Sequence, residues 1–130
     1  MTRRRAEILV VDDDPLVREI LSRVLDLEDL TVRLAGSGER AVREAREQPP
    51  DAIVLGVELP DINGFEVCAR LRAEAELSGI PVVLLADNDD DETREAAERA
   101  GCAGYLAKPF SPLMLIDTLR ALVAGLEIRA

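Results

Sequence analysis

Apolar positions along this chain follow two alternating patterns. Short aliphatic runs at Ile8 to Val11, Thr31 to Leu34, Ala52 to Leu55, Pro81 to Leu85 and Tyr105 to Ala107 are separated by longer stretches with apolar residues at helical spacing. Runs this short, bounded by turn residues, are expected of strands covered on both faces in a parallel sheet. Pro15 opens the first helical stretch, which carries Leu16, Ile20, Val24 and Leu27; proline suits a first turn because its missing N–H would have no helical partner there. Ser37 is placed to cap a second helix that runs through Glu47 and ends at Pro49-Pro50. Asn63-Gly64 leads into a third, with Phe65, Val67, Cys68 and Leu71 as the inward stripe and Arg70 and Arg72 outside. Glu92 to Ala100 is a charged fourth helix stopped by Gly101, and Pro112 to Val123 is a fifth with Leu115, Leu119, Leu122 and Val123 turned inward.

Strict alternation of strand and helix predicts the α/β class: a doubly wound, five-stranded parallel sheet with right-handed crossovers and helices on both faces. The expectation is a single domain over 1–130 with an ordered core at about 6–125. In such sheets ligands sit outside the carboxyl ends of the strands. That rule selects Asp12, Asp13 and Asp14 after the first strand, Gly56 after the third, Ala86 after the fourth and Lys108 after the fifth.

Composition narrows the function. The chain has 130 residues, 48% of them hydrophobic, enough for one core. Its 26 acidic and 16 basic residues leave a net charge of -10, which repels nucleic-acid backbones and anionic membranes. The basic start, Thr2-Arg3-Arg4-Arg5, is too short to act as a binding arm and is read as a solvated tail. No apolar stretch is long enough to span a membrane and no secretory leader pattern is present, so the expected location is cytoplasmic. Cys68 and Cys102 are expected to be reduced packing thiols. With no histidine, His-based acid–base catalysis, the usual zinc ligands and a phosphohistidine are all excluded.

Adjacent carboxylates at a strand end suit a hard divalent cation such as Mg2+. Acids are also favoured at a helix N-terminus, and Asp14 is read as the cap of the helix that follows. A lysine at the mouth of an acidic strand end balances its charge.

The segments "ILVVDDDP", "PDAIVLGVELPDINGFEV", "IPVVLLAD" and "GYLAKPF", in this order and at these separations, resemble the receiver domain of bacterial response regulators. The resemblance covers nearly the whole chain and implies a flavodoxin-like sheet of strand order 2-1-3-4-5. It implies a Mg2+ site at Asp12 and Asp13, helped by the backbone carbonyl of Glu58, and a lysine joined by a cis peptide bond to proline at Lys108-Pro109. It places the switch aromatic at Tyr105, the phosphate-accepting aspartate at Gly56 and the hydroxyl residue that binds the phosphoryl group at Ala86.

The last two positions depart from the family pattern. Phosphoryl transfer needs a carboxylate oxygen in line with the leaving group, and glycine has no nucleophile. Asp51 precedes the strand and Asp61 lies in the turn after it, so neither replaces the missing atoms; Glu58 is nearer, but the family uses its carbonyl. No cofactor is therefore required, and Mg2+ binding is expected to be weak or absent.

The expected function is a non-catalytic, phosphorylation-independent signalling module. Its partner would be a signalling protein (a histidine kinase, an effector domain or another regulator) docking on the last helix-strand-helix face, with no direct nucleic-acid or membrane contact. Ala103 and Gly104 stand where many receivers carry the acids of a charged dimer contact, so that contact is not expected. One alternative is a conventional phosphoacceptor in which Gly56 is a substitution. A remote one treats Asp12-Asp13-Asp14 as the acid pair of a haloacid-dehalogenase-like phosphatase, where Leu16 breaks the expected pattern.

Overall fold

A computed structural model describes residues 6–28 and 30–122. Elements alternate without exception: β1 (Glu7–Val11), α1 (Pro15–Leu27), β2 (Thr31–Ala35), α2 (Gly38–Glu47), β3 (Ala52–Gly56), α3 (Gly64–Arg72), β4 (Val82–Ala86), α4 (Asp91–Arg99), β5 (Gly104–Ala107) and α5 (Pro112–Leu122). The five strands are parallel in the order β2-β1-β3-β4-β5. The start of the chain, Thr2 to Arg5, and Val123 onward, including the end of the expected core at 125, lie outside the described residues.

The sheet separates two cores. Leu9, Val11, Ile53, Leu55, Val82 and Leu84 point to the side covered by α2, α3 and α4. Ile8, Val10, Ala52, Val54, Val83 and Leu85 point to the side covered by α1 and α5. The continuous aliphatic runs thus conceal the period-two alternation of a strand buried on both faces. All five residues of β3 and of β4 are buried, as expected of strands with a neighbour on each side.

Several boundaries differ from the sequence expectation. Gly56 and Ala86 are the last residues of their strands and not the first residues after them. The partners decide this: Gly56 registers with Leu85 and Ala86 with Ala107. Pro81 precedes β4, although its carbonyl still accepts from the Ile53 N–H at 3.0 Å. In α1 the stripe Leu16, Ile20, Leu27 faces outward, with exposures of 61%, 47% and 80%. Leu21 and Leu25 form the buried face, flanked by Val17 and Val24. Two apolar stripes lie side by side on this helix, and helical spacing alone does not decide between them. Ile116 is likewise buried in α5 beside Leu115 and Leu119, with Leu122 partly buried against them.

Helix starts follow the cap logic. Asp14, Ser37, Asn63 and Asp90 each accept a backbone N–H from the first turn of their helix. Gly101, with φ +83, stops α4 in the left-handed conformation that glycine adopts without steric cost. Gly64 is required for a different reason, because a Cβ there would lie 2.5 Å from the carbonyl oxygen of Gly56. Its N–H donates to the Val57 carbonyl at 2.9 Å, so α3 starts directly against the end of β3.

Candidate functional site

The carboxyl ends of β1, β3, β4 and β5 bring Asp12, Gly56, Ala86 and Lys108 together. Asp12 is 1% exposed and is the one buried charged residue among those described. A buried carboxylate must be compensated, and this one is. Its Oδ2 accepts from Lys108 Nζ at 3.0 Å and its Oδ1 from the Asp14 backbone N–H at 3.0 Å. Arg18 Nη1 donates to the Asp12 carbonyl at 2.8 Å, which fixes the backbone of the same residue from the first turns of α1.

Lys108 reaches Asp12 from the far side of the sheet, since β3 and β4 lie between β1 and β5. Its backbone N–H donates to the Ala86 carbonyl at 2.8 Å, and its peptide bond to Pro109 is cis. The lysine side chain is 29% exposed and also lies 3.8 Å from Asp87 Oδ1.

Gly56 forms the floor. An added Cβ there would stand 3.2 Å from Asp12 Oδ2 and 3.4 Å from the Val11 carbonyl oxygen, so the acid's oxygen is close against the position of any side chain. Ala86 is buried and has no hydroxyl. Asp13 is exposed and Glu58 lies on an exposed stretch two residues beyond β3.

The donor set does not fit a Mg2+ site. Both carboxylate oxygens of Asp12 are engaged, Gly56 contributes none, and among the described residues no group of three or more acidic, histidine or cysteine side chains is arranged to hold a metal ion.

The other acids near β3 have structural roles. Asp51 Oδ2 accepts from the Glu7 N–H at 2.7 Å. Asp61 receives the N–H groups of Gly38 and Glu39, both at 2.8 Å, and so caps α2 from the loop before α3. Those donors hold its carboxyl below the usual aspartate value. Asp14 is the α1 cap, accepting from the Leu16 N–H at 2.9 Å.

Tyr105 is half-buried on β5. Its ring packs against the core on the α2–α3–α4 side, its hydroxyl donates to the Asn88 carbonyl, and the Arg94 guanidinium lies over the ring, 5.1 Å from its centre. Burial, then Asp89, pushes the hydroxyl above the ordinary tyrosine value, so it stays a donor at neutral pH.

Sequence reasoning therefore brought Asp12, Gly56, Ala86 and Lys108 to one place and missed Asp87 and Arg18. Asp87 directly follows the fourth strand and was within reach of the strand-end rule. Arg18 carried no such signal, because its contact is with a backbone oxygen.

The response regulator receiver domain family matches residues 8–120, and the chain belongs to that family. It is 43% identical to TcrX of Mycobacterium tuberculosis over 116 residues, 89% of this chain and 49% of TcrX. It is 33% identical to PilH of Pseudomonas aeruginosa over 120 residues, 92% of this chain and 99% of PilH. The crystal structure of a protein from Chloroflexus aurantiacus J-10-fl superposes with a TM-score of 0.90 at 36% identity, covering 93% of this chain and 99% of that one. The chain spans about half the length of most of the curated relatives it matches first, TcrX and the MtrA regulators among them. No helix among the described residues is long and apolar enough to cross a membrane.

Proposed function

We propose that this receiver domain signals through protein contacts without an aspartyl phosphate. The observation that carries the reading is the floor of its pocket: Gly56 offers no carboxylate, and the space above it holds the Asp12–Lys108 pair at 3.0 Å. Phosphoryl transfer needs a positioned nucleophile and charge-neutralising groups free to meet the transferring oxygens. Here the nucleophile is absent, the lysine is already paired, and Ala86 supplies no hydroxyl. Mg2+ binds weakly or not at all, and Gly56, Ala86, Asp12, Asp13, Lys108 and Pro109 are remnants of the phosphorylation site.

The partner is a signalling protein: a histidine kinase, an effector domain or another regulator. It docks on the α4–β5–α5 face, where Tyr105 and Arg94 form an ordered aromatic and cationic surface. The net charge of -10 argues against direct nucleic-acid contact by this domain.

The test is incubation with acetyl phosphate and Mg2+, followed by intact-mass measurement. No phosphoryl adduct is expected; a stable adduct on the unaltered chain overturns the reading. The alternative of a conventional acceptor carrying a substitution is favoured by the retained Asp12, Lys108 and cis Lys108–Pro109 bond. Gly56→Asp separates the two: phosphate uptake that changes partner binding supports the alternative, and no uptake supports the phosphate-free module.

A further inference from the structure

We propose that Cys68 and Cys102 form an oxidisable pair, in which Cys102 is the reactive thiol and Cys68 resolves it to an intramolecular disulfide under peroxide. This inference stands apart from the pocket at Asp12 and holds whether or not phosphate is used.

The two sulfur atoms lie 3.3 Å apart although the residues are 34 positions apart in sequence. Cys68 is fully buried in α3, while Cys102 is partly exposed in the short connection between α4 and β5. Cys102 lines a surface hollow together with Arg94, Ala97, Glu98 and Tyr105, so it is the member of the pair nearer to solvent. Cys68 is 0% exposed. A partly exposed cysteine in contact with a buried one is the order that a reactive and a resolving cysteine require.

The surroundings polarise the pair in the same sense. The hydrogen bond shared by the two sulfurs, with the Arg72 guanidinium nearby, holds Cys102 below the ordinary thiol value. Arg72 is fixed there by donating to the carbonyls of Ser78 at 2.9 Å and Gly101 at 3.2 Å. The same sulfur contact, and burial, push Cys68 upward. Closing the pair to the S–S length of about 2 Å needs a movement of little more than an ångström, and Cys102 sits on a connection that follows the turn at Gly101.

In the first step the Cys102 thiolate attacks a peroxide oxygen, the O–O bond breaks, and the departing hydroxide takes a proton to become water. Cys102 is then a sulfenic acid. The Cys68 sulfur attacks the Cys102 sulfur, the S–O bond breaks, the S–S bond forms, and the leaving hydroxyl takes the Cys68 proton as a second water. Two thiols lose two electrons and the peroxide is reduced to two waters. The cross-link ties α3 to the connection that leads into β5, three residues before Tyr105, and so stiffens the edge of the proposed docking face.

The test treats the intact chain with hydrogen peroxide and reads free thiols after unfolding, intact mass and the disulfide-linked peptides. The expected result is loss of both thiols, a monomer lighter by two hydrogens, a Cys68–Cys102 peptide, and full recovery with dithiothreitol. In Cys68→Ser, checked for folding by circular dichroism, Cys102 is expected to accumulate as a sulfenic acid that dimedone traps. In Cys102→Ser, whose site is at the surface, Cys68 should stay unreactive until the chain unfolds. A Cys68 that still titrates after oxidation of the unaltered chain, dimers linked through Cys102, or a Cys102 inert to peroxide would each overturn the proposal.

Discussion

Lys108 Nζ lies 3.0 Å from Asp12 Oδ2, joining the ends of two strands that are separated in the sheet by β3 and β4. The residues ending those two intervening strands are Gly56 and Ala86, the smallest side chains available. The buried carboxylate draws the lysine across the ends of both strands. Removing the lysine leaves a carboxylate that is 1% exposed without its cation. Lys108→Ala should therefore lower stability by about 3 kcal/mol, the lower end of the range for breaking buried pairs, because the lysine is partly solvated. Urea unfolding checks it: the midpoint should fall at constant slope, and the double variant with Asp12→Asn should recover part of the loss.

Gly56→Asp places a second carboxylate beside the first. The new Cβ begins 3.2 Å from Asp12 Oδ2, tighter than an ordinary contact, and the added charge repels. In metal-free buffer the variant should unfold about 1–3 kcal/mol earlier than the unaltered chain, and Gly56→Ala by less. Mg2+ should restore much of the loss in Gly56→Asp and change the unaltered chain little. Thermal melts with and without Mg2+ decide this, and an equal response of the two chains would sink it.

Gly64 and Gly79 form a matched contrast. A Cβ at Gly64 would stand 2.5 Å from the Gly56 carbonyl oxygen, a backbone atom that cannot swing aside, whereas nothing lies within 4 Å of one at Gly79. Gly64→Ala should cost about 2 kcal/mol or more through displaced backbone. Gly79→Ala should be neutral or stabilising by up to about 1 kcal/mol, since it restricts mainly the unfolded chain. Chemical denaturation of both variants orders them.

Asp61 makes stability depend on pH. Its folded-state value is depressed by the N–H groups of Glu39 and Gly38, so its contribution is present above the ordinary aspartate value and disappears as pH falls through the folded value. Asp61→Asn should unfold earlier than the unaltered chain at neutral pH, and the gap should narrow below about pH 4. A gap independent of pH would show that the side chain acts through packing alone.

Much of this fold is legible without coordinates because its cues are local. Asp14, Ser37 and Asn63 mark helix starts with short side chains that bond the first turn, and Gly101 marks a stop. Aliphatic runs too short for helices mark the strands. The α1 stripe was not legible: Leu16, Ile20 and Leu27 have the helical spacing of a core face, yet Leu21 and Leu25 occupy the core. Which stripe is buried depends on where β1 and α5 lie, and no local pattern encodes that.

The candidate site divides the same way. Residue identity and strand order need no coordinates, so it is already legible in the chain that no carboxylate ends the third strand, no hydroxyl ends the fourth, and acids and a lysine follow the first and fifth. That Lys108 selects Asp12 and not Asp13, that Asp61 serves α2 from across the loop, and that Cys68 and Cys102 touch emerges from packing alone. Each of these contacts joins residues far apart in the chain, and their distances are set by the packing of helices on both faces of one twisted sheet.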